Sequence, residues 1–325
     1  MPFRCLAEAL CLLYNISYAV NVQWIQWNID KLIKGPTVKI ISCFSQKGGV
    51  GKTTATINVS AAFGLMLWHE TPPGQDPGRV LIVDLDQQAN TDITLSGGFF
   101  GQRQPRNLGP YDNIAGLLML DTQRPIFEII TNANIPVNSR NVDFIPSNRE
   151  KMLQVEPTLQ SDPANGLFRL SEVLEPVEQA YEYVFIDNPP GVSHLSVNSL
   201  VASTHVILPI QLEAASVFGL ADSLKAIKSV QQKYNRNLRV AGILPTMCNF
   251  RGAGQQEFYE GLCKQYGDLM LPPIYQRAEI SDAFTAGLDI FSFKPARQTG
   301  TMVSSSSSTH EYAEVAEELR RRLDL

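Results

Sequence analysis

The 325-residue chain is short of cysteine and histidine and carries no surplus of positive charge, and each shortage removes a class of function. Its five cysteines, Cys5, Cys11, Cys43, Cys248 and Cys263, include no C-x-x-C pair and form an odd set, which excludes a disulfide framework and fits a reducing cytosol. The four histidines, His69, His194, His205 and His310, are scattered without the spacing of metal ligands. A net charge of −5 argues against wholesale coating of nucleic acid. The apolar N-terminal stretch is broken by Glu8 and Asn15, so it reads neither as a signal peptide nor as a membrane span. What remains is 44% hydrophobic, enough for one large core and cramped for a second domain.

Against these shortages stands Lys47-Gly48-Gly49-Val50-Gly51-Lys52-Thr53-Thr54. The apolar run Val38 to Phe44 before it reads as a strand, and Ala55 to Phe63 after it can run as a helix. Three glycines at such a turn let backbone N–H groups approach an anion at a helix N-terminus. In a phosphate-binding loop of this kind Lys52 reaches the β- and γ-phosphates and the Thr53 hydroxyl holds Mg²⁺. The general pattern wants glycine at position 46, where this chain has Gln46 followed by Lys47.

Two further strands end in acids. Val80-Leu81-Ile82-Val83 runs into Asp84-Leu85-Asp86-Gln87-Gln88-Ala89-Asn90, and Tyr183-Val184-Phe185-Ile186 runs into Asp187-Asn188-Pro189-Pro190-Gly191. Continuous apolar runs of this length are typical of parallel strands covered on both faces, and open α/β sheets place ligands at the strands' C-terminal ends.

The K-G-G-x-G-K-T box with an extra lysine at its start resembles the deviant Walker ATPases of the ParA/MinD family, most nearly the ParA-type DNA partition ATPases. D-L-D-Q-Q-A-N is similar to the family's D-L-D-P-Q-x-N, with Gln87 where proline is usual. Gly242 to Arg251 is similar to a family segment near the adenine, which places Met247 at the nucleotide, although Cys248 and Asn249 replace the usual tyrosine and aspartate. In the stretch Ile274 to Ala283, Gln276 or Arg277 stands for a family arginine and Asp282 for a glutamate. The resemblance spans residues 38 to 325.

The resemblance implies a P-loop NTPase fold, a doubly wound, mostly parallel β-sheet flanked by helices, over residues 37–325. It implies ATP and Mg²⁺ as cofactors, with residues 47–54 and Met247 around the nucleotide. Lys47, Lys52 and Asp86 are the expected catalytic residues, and Thr53, Asp84 and Asp187 the expected metal residues. Lys47 would cross a dimer interface to the partner's ATP, Asp86 would orient the attacking water, and the Pro189-Pro190 loop would act as a switch. The implied protein is a slow, partner-stimulated ATPase, cytoplasmic and nucleoid-associated. It forms an ATP-sandwich homodimer, binds double-stranded DNA without sequence preference and meets a ParB-like adaptor, with no membrane. Residues 1–36 are read as a helical extension packing on the domain or a partner, or as an over-extended start.

Charge distribution bears on the DNA reading. Between Ser223 and Gln256 there is no acid, while Lys225, Lys228, Lys233, Arg236, Arg239 and Arg251 are all basic. Leu220, Leu224 and Ile227 would pack inward and leave Lys225 off the apolar stripe. The alternatives are a MinD-like membrane ATPase and a ParA-like distributor of protein organelles. The first wants a basic amphipathic C-terminus, whereas Glu311, Glu314, Glu317 and Glu318 here offset Arg320, Arg321 and Arg322. A redox enzyme resembling the nitrogenase iron protein would need cysteines between the carboxylate motifs, and none lies between Cys43 and Cys248. Ser308 and Glu311 have the spacing of a capping box for a last helix with Tyr312, Val315, Leu319 and Leu323 on one stripe.

Overall fold

The computed structural model describes residues 38–96, 108–133, 141–251, 253–293 and 307–324. The extension read over residues 1–36 lies outside them. In chain order the elements are β1 (Lys39–Cys43), α1 (Lys52–Glu70), β2 (Val80–Asp84), α2 (Asn90–Leu95), α3 (Ile114–Met119), α4 (Ile126–Ile129), β3 (Thr131–Asn132), β4 (Val142–Ile145), α5 (Arg149–Gln160), α6 (Arg169–Leu174), β5 (Tyr183–Asp187), α7 (His194–Ala202), β6 (His205–Gln211), α8 (Ala214–Lys233), β7 (Arg239–Thr246), α9 (Ala253–Tyr266), α10 (Ala278–Ala286) and α11 (Ser307–Leu323).

Seven strands form one sheet in the order β3-β4-β2-β5-β1-β6-β7, parallel except for the two-residue edge strand β3. The chain leaves β1 toward one side of the sheet and crosses to the other after β5. The strand order therefore reverses beside β1, and that crevice at the C-terminal ends is where such sheets hold ligands. Register does the rest. Cys43 pairs with Asp187 and Asp84 also pairs with Asp187, so the end of β1 and both strand-end acids lie in one row.

The core lies on both faces, which explains the unbroken apolar strands. On one face Ile41, Ile82, Phe144 and Phe185 pack with Ile57 and Phe63 of α1 and with Tyr312, Val315, Leu319 and Leu323 of α11. Phe63 stands edge-on to Tyr183 and Phe185, with ring centroids 4.6 and 5.2 Å away, an arrangement the aromatic quadrupole favours. On the other face Phe44, Val206, Leu208 and Ile243 pack with Leu220, Ile227 and Val230 of α8. Lys225 is exposed and ion-paired to Asp222 one turn back, as the stripe on α8 predicted.

The expected capping box does not form. Ser308 lies inside α11 and directs its amide and hydroxyl to Glu279, while Glu311 accepts from Arg277 Nε at 2.9 Å and the Tyr275 amide at 3.0 Å. These long-range partners dock the last helix on the α10 segment, and they win over a local cap whose geometry the sequence spacing alone allowed. Arg277, one of the two residues matched to the family arginine, is thereby committed to α11.

Candidate active site

The loop between β1 and α1 is shaped for an anion. Gly49 and Gly51 have φ of 75° and 79°, the left-handed region that side chains disfavour, and Gly51 ends the loop as the N-cap of α1. Among the described residues the amides of Gly48 through Thr54 find no acceptor, whereas Ala55 N already donates to Gly51 O at 2.8 Å. A run of free N–H groups at the start of a 19-residue helix is the arrangement that suits a phosphate.

Neighbouring elements fix the loop from three sides. From the β6 and β7 ends, the Thr246 hydroxyl lies 2.9 Å from Val50 O, and Gln211 Nε2 donates to Gly49 O at 3.2 Å and to Met247 Sδ at 3.1 Å. Met247 has φ 52° and remains 38% exposed beside Gly51. From α8, Ser223 Oγ accepts the Gln46 amide at 3.2 Å. From β5, the buried Asn188 donates to Ser42 Oγ at 2.8 Å and Cys43 O at 3.1 Å, and Pro190 lies against Gly48.

Lys52 is 6% exposed, with its ammonium 3.4 Å from Lys47 O. Lys47 points elsewhere, forming an ion pair with Glu213 at the start of α8 in which both side chains are partly exposed.

The acids differ sharply from one another. Asp187 is fully buried; its Oδ2 accepts the hydroxyls of Thr53 at 2.7 Å and Thr91 at 2.9 Å, and its Oδ1 has no partner among the described residues. Burial pushes Asp187 up to about 6, against the pull of the two hydroxyls. Asp84, equally buried, gives both oxygens to backbone amides: Oδ1 to Asp86 at 2.9 Å, Oδ2 to Thr91 at 3.1 Å and Asp92 at 3.3 Å. Burial first and neighbouring Asp187 second hold it well above the usual carboxylate range. Asp86 is half-buried in a turn closed by Ala89 N to Asp86 O at 2.9 Å, with Oδ1 accepting Gln88 N at 2.9 Å.

These residues fit a magnesium nucleotide. The cradle offers free amides and a buried ammonium to phosphates. The unpartnered Oδ1 of Asp187, beside the Thr53 hydroxyl and a second buried acid, is a donor set that a hard divalent cation would relieve of its repulsion. The roles of Glu213, Ser223, Thr91 and Asn188 were not legible in the sequence, because the partners that place them, Lys47, Gln46, Asp187 and Ser42, lie 96 or more positions away.

The sequence model of the family described as AAA domain matches residues 38–240. The sporulation initiation inhibitor protein Soj of Bacillus subtilis is 29% identical over 267 residues, covering 79% of this chain and 92% of that protein. The chromosome partitioning protein ParA of Myxococcus xanthus is 34% identical over 218 residues, covering 66% of this chain and 67% of its own. In fold, the chain is similar to cobyrinic acid a,c-diamide synthase of Mycobacterium smegmatis, solved with an ATP analogue and magnesium, at a TM-score of 0.65 and 24% identity over 88% of this chain and 96% of that one. That likeness carries the architecture alone, while the sequence matches and the deviant Walker box carry the lineage. The chain belongs to the AAA-domain family and, within it, to the ParA/MinD-type deviant Walker ATPases.

Proposed function

We propose that this ATPase closes as an ATP-bound dimer on duplex DNA and positions a plasmid, chromosome or other cargo through a ParB-like adaptor. The observation that carries the reading is Lys47, whose ammonium rests on Glu213 of its own chain instead of on its own phosphate cradle. An ion pair exposed to this degree is worth at most about 1 kcal/mol. A facing subunit's triphosphate would outbid it, so closure becomes conditional on nucleotide.

Within each site Lys52 and the loop amides hold the phosphates, Thr53 and Asp187 face the magnesium, and Met247 flanks the nucleotide. The bound metal supplies charge neutralisation on the phosphate oxygens. Asp86 orients the attacking water. Asp84 we assign to shaping the Asp86 loop, since three amides already occupy its oxygens. This departs from the metal-shell role that the resemblance implied. The Pro189-Pro190 loop sits against Gly48, where a change at the phosphates would be felt.

Lys228, Lys233, Arg236, Arg239 and Arg251 are exposed, which supports electrostatic contact with a phosphate backbone. The membrane alternative loses its basis on α11. Its apolar stripe is buried in the core, Arg320 pairs with Glu70, and Arg321 and Arg322 pair with Glu318. Among the described residues no helix is long and apolar enough to cross a membrane.

Sedimentation with ATP or ADP tests the reading. Wild-type protein should dimerise with ATP only, and Lys47→Ala should raise the dimer dissociation constant at least about tenfold. A Lys47→Ala protein that dimerises like wild type would remove the cross-subunit role.

A further inference from the structure

We propose that Thr91 is a positioning residue for ATP hydrolysis, tying the loop that carries Asp86 to the magnesium-facing carboxylate of Asp187. The inference rests on the roles just proposed for those two acids. Thr91 lies in the first turn of α2 and is 1% exposed. It makes two bonds in two directions. Its hydroxyl donates to Asp187 Oδ2 at 2.9 Å, and its amide donates to Asp84 Oδ2 at 3.1 Å. Asp84 Oδ1 in turn accepts the amide of Asp86 at 2.9 Å. A continuous hydrogen-bonded path therefore runs from Asp187 through Thr91 and Asp84 to the backbone of Asp86.

Two hydroxyls share Asp187 Oδ2, and they come from different parts of the site. Thr53 belongs to the phosphate cradle and Thr91 to the loop after β2. Together they fix the carboxylate's rotamer, which determines where the bare Oδ1 is presented. The bond from Leu85 N to Asp187 O at 2.9 Å also ties this loop to β5, but it holds backbone to backbone and does not orient the Asp187 side chain. Thr91 is thus the side-chain link by which the position of the metal-facing acid and that of the water-orienting acid depend on one another. Without it, each could be well placed while the other was not.

The test uses the full chain with Thr91→Val, which keeps the shape and loses the hydroxyl, and Thr91→Ser, which keeps the hydroxyl. A fluorescent ATP analogue is titrated with magnesium and in EDTA, and steady-state turnover is measured alongside. A hydrogen bond to a charged group sets the expected scale at about ten- to a hundredfold. Thr91→Val should need at least about tenfold more magnesium for half-maximal nucleotide binding and turn over about ten- to a hundredfold more slowly, with affinity in EDTA unchanged. Thr91→Ser should stay within about threefold of wild type in each. A purely structural threonine would lower the melting temperature without moving the magnesium dependence. Thr91→Ala replaces the valine should that variant not fold. A folded valine or alanine variant with wild-type magnesium dependence overturns the inference, and so does a serine variant as impaired as the valine. Wild-type binding that does not depend on magnesium would overturn the metal role of Asp187 itself, and the inference with it.

Discussion

Lys52→Ala is expected to abolish magnesium-nucleotide binding at concentrations that saturate the wild type, a loss of at least about a hundredfold in affinity. The ammonium is almost fully withdrawn from water and lies 3.4 Å from Lys47 O, inside the loop whose free amides await phosphates. Removing one partner from a buried charge pair costs about 3–5 kcal/mol, which corresponds to two to almost four decades. Lys47 is not placed to substitute, because its ammonium points away from the cradle, toward Glu213 at the start of α8. Equilibrium binding of a fluorescent ATP analogue checks the expectation, and binding within about threefold of wild type would contradict the cradle assignment.

Asp86→Ala separates binding from turnover. Nucleotide affinity should stay near the wild-type value while hydrolysis falls by about a hundred- to ten-thousandfold, the usual range for loss of a positioned acid–base group. Neither neighbouring acid can substitute. Asp84 has both oxygens on backbone amides, and Asp187 is fully buried at the end of the adjacent strand. If, as proposed, hydrolysis releases the closed state, the variant should accumulate as an ATP-bound dimer. Phosphate-release kinetics and sedimentation read the two effects separately. Undiminished hydrolysis would move the catalytic role to another residue.

The parts of this site that sequence patterning exposes are those written in contiguous residues. Strand, glycine loop and helix around Lys52 follow from an apolar run, three glycines and a helical stretch, and the structure places β1 and α1 there. The runs ending in Asp84 and Asp187 are continuous because helices cover both faces, so their strand character is legible too. What Asp84 does is not legible. Its position beside Asp187 comes from the register of two strands about a hundred residues apart, and its occupancy by amides comes from the turn at Ala89, with φ 52°. Glu213 as the partner of Lys47 and Ser223 as the anchor of Gln46 depend on how α8 crosses the start of the loop. Ser308 and Glu311 show the converse, a local signature that tertiary partners override.

Binding to unrelated duplex DNA, followed with ATP, ADP or no nucleotide across a salt series, tests the central claim most directly. On the proposed reading a single copy would make contacts of the kind that give non-specific dissociation constants of about 10⁻⁴ to 10⁻⁶ M, and joining two copies in one body would multiply them. The account predicts tight binding with ATP alone, falling by about a thousandfold or more between about 50 and about 200 mM salt. Binding that ignores the nucleotide, or ATP-dependent attachment to anionic liposomes with none to DNA, would contradict it.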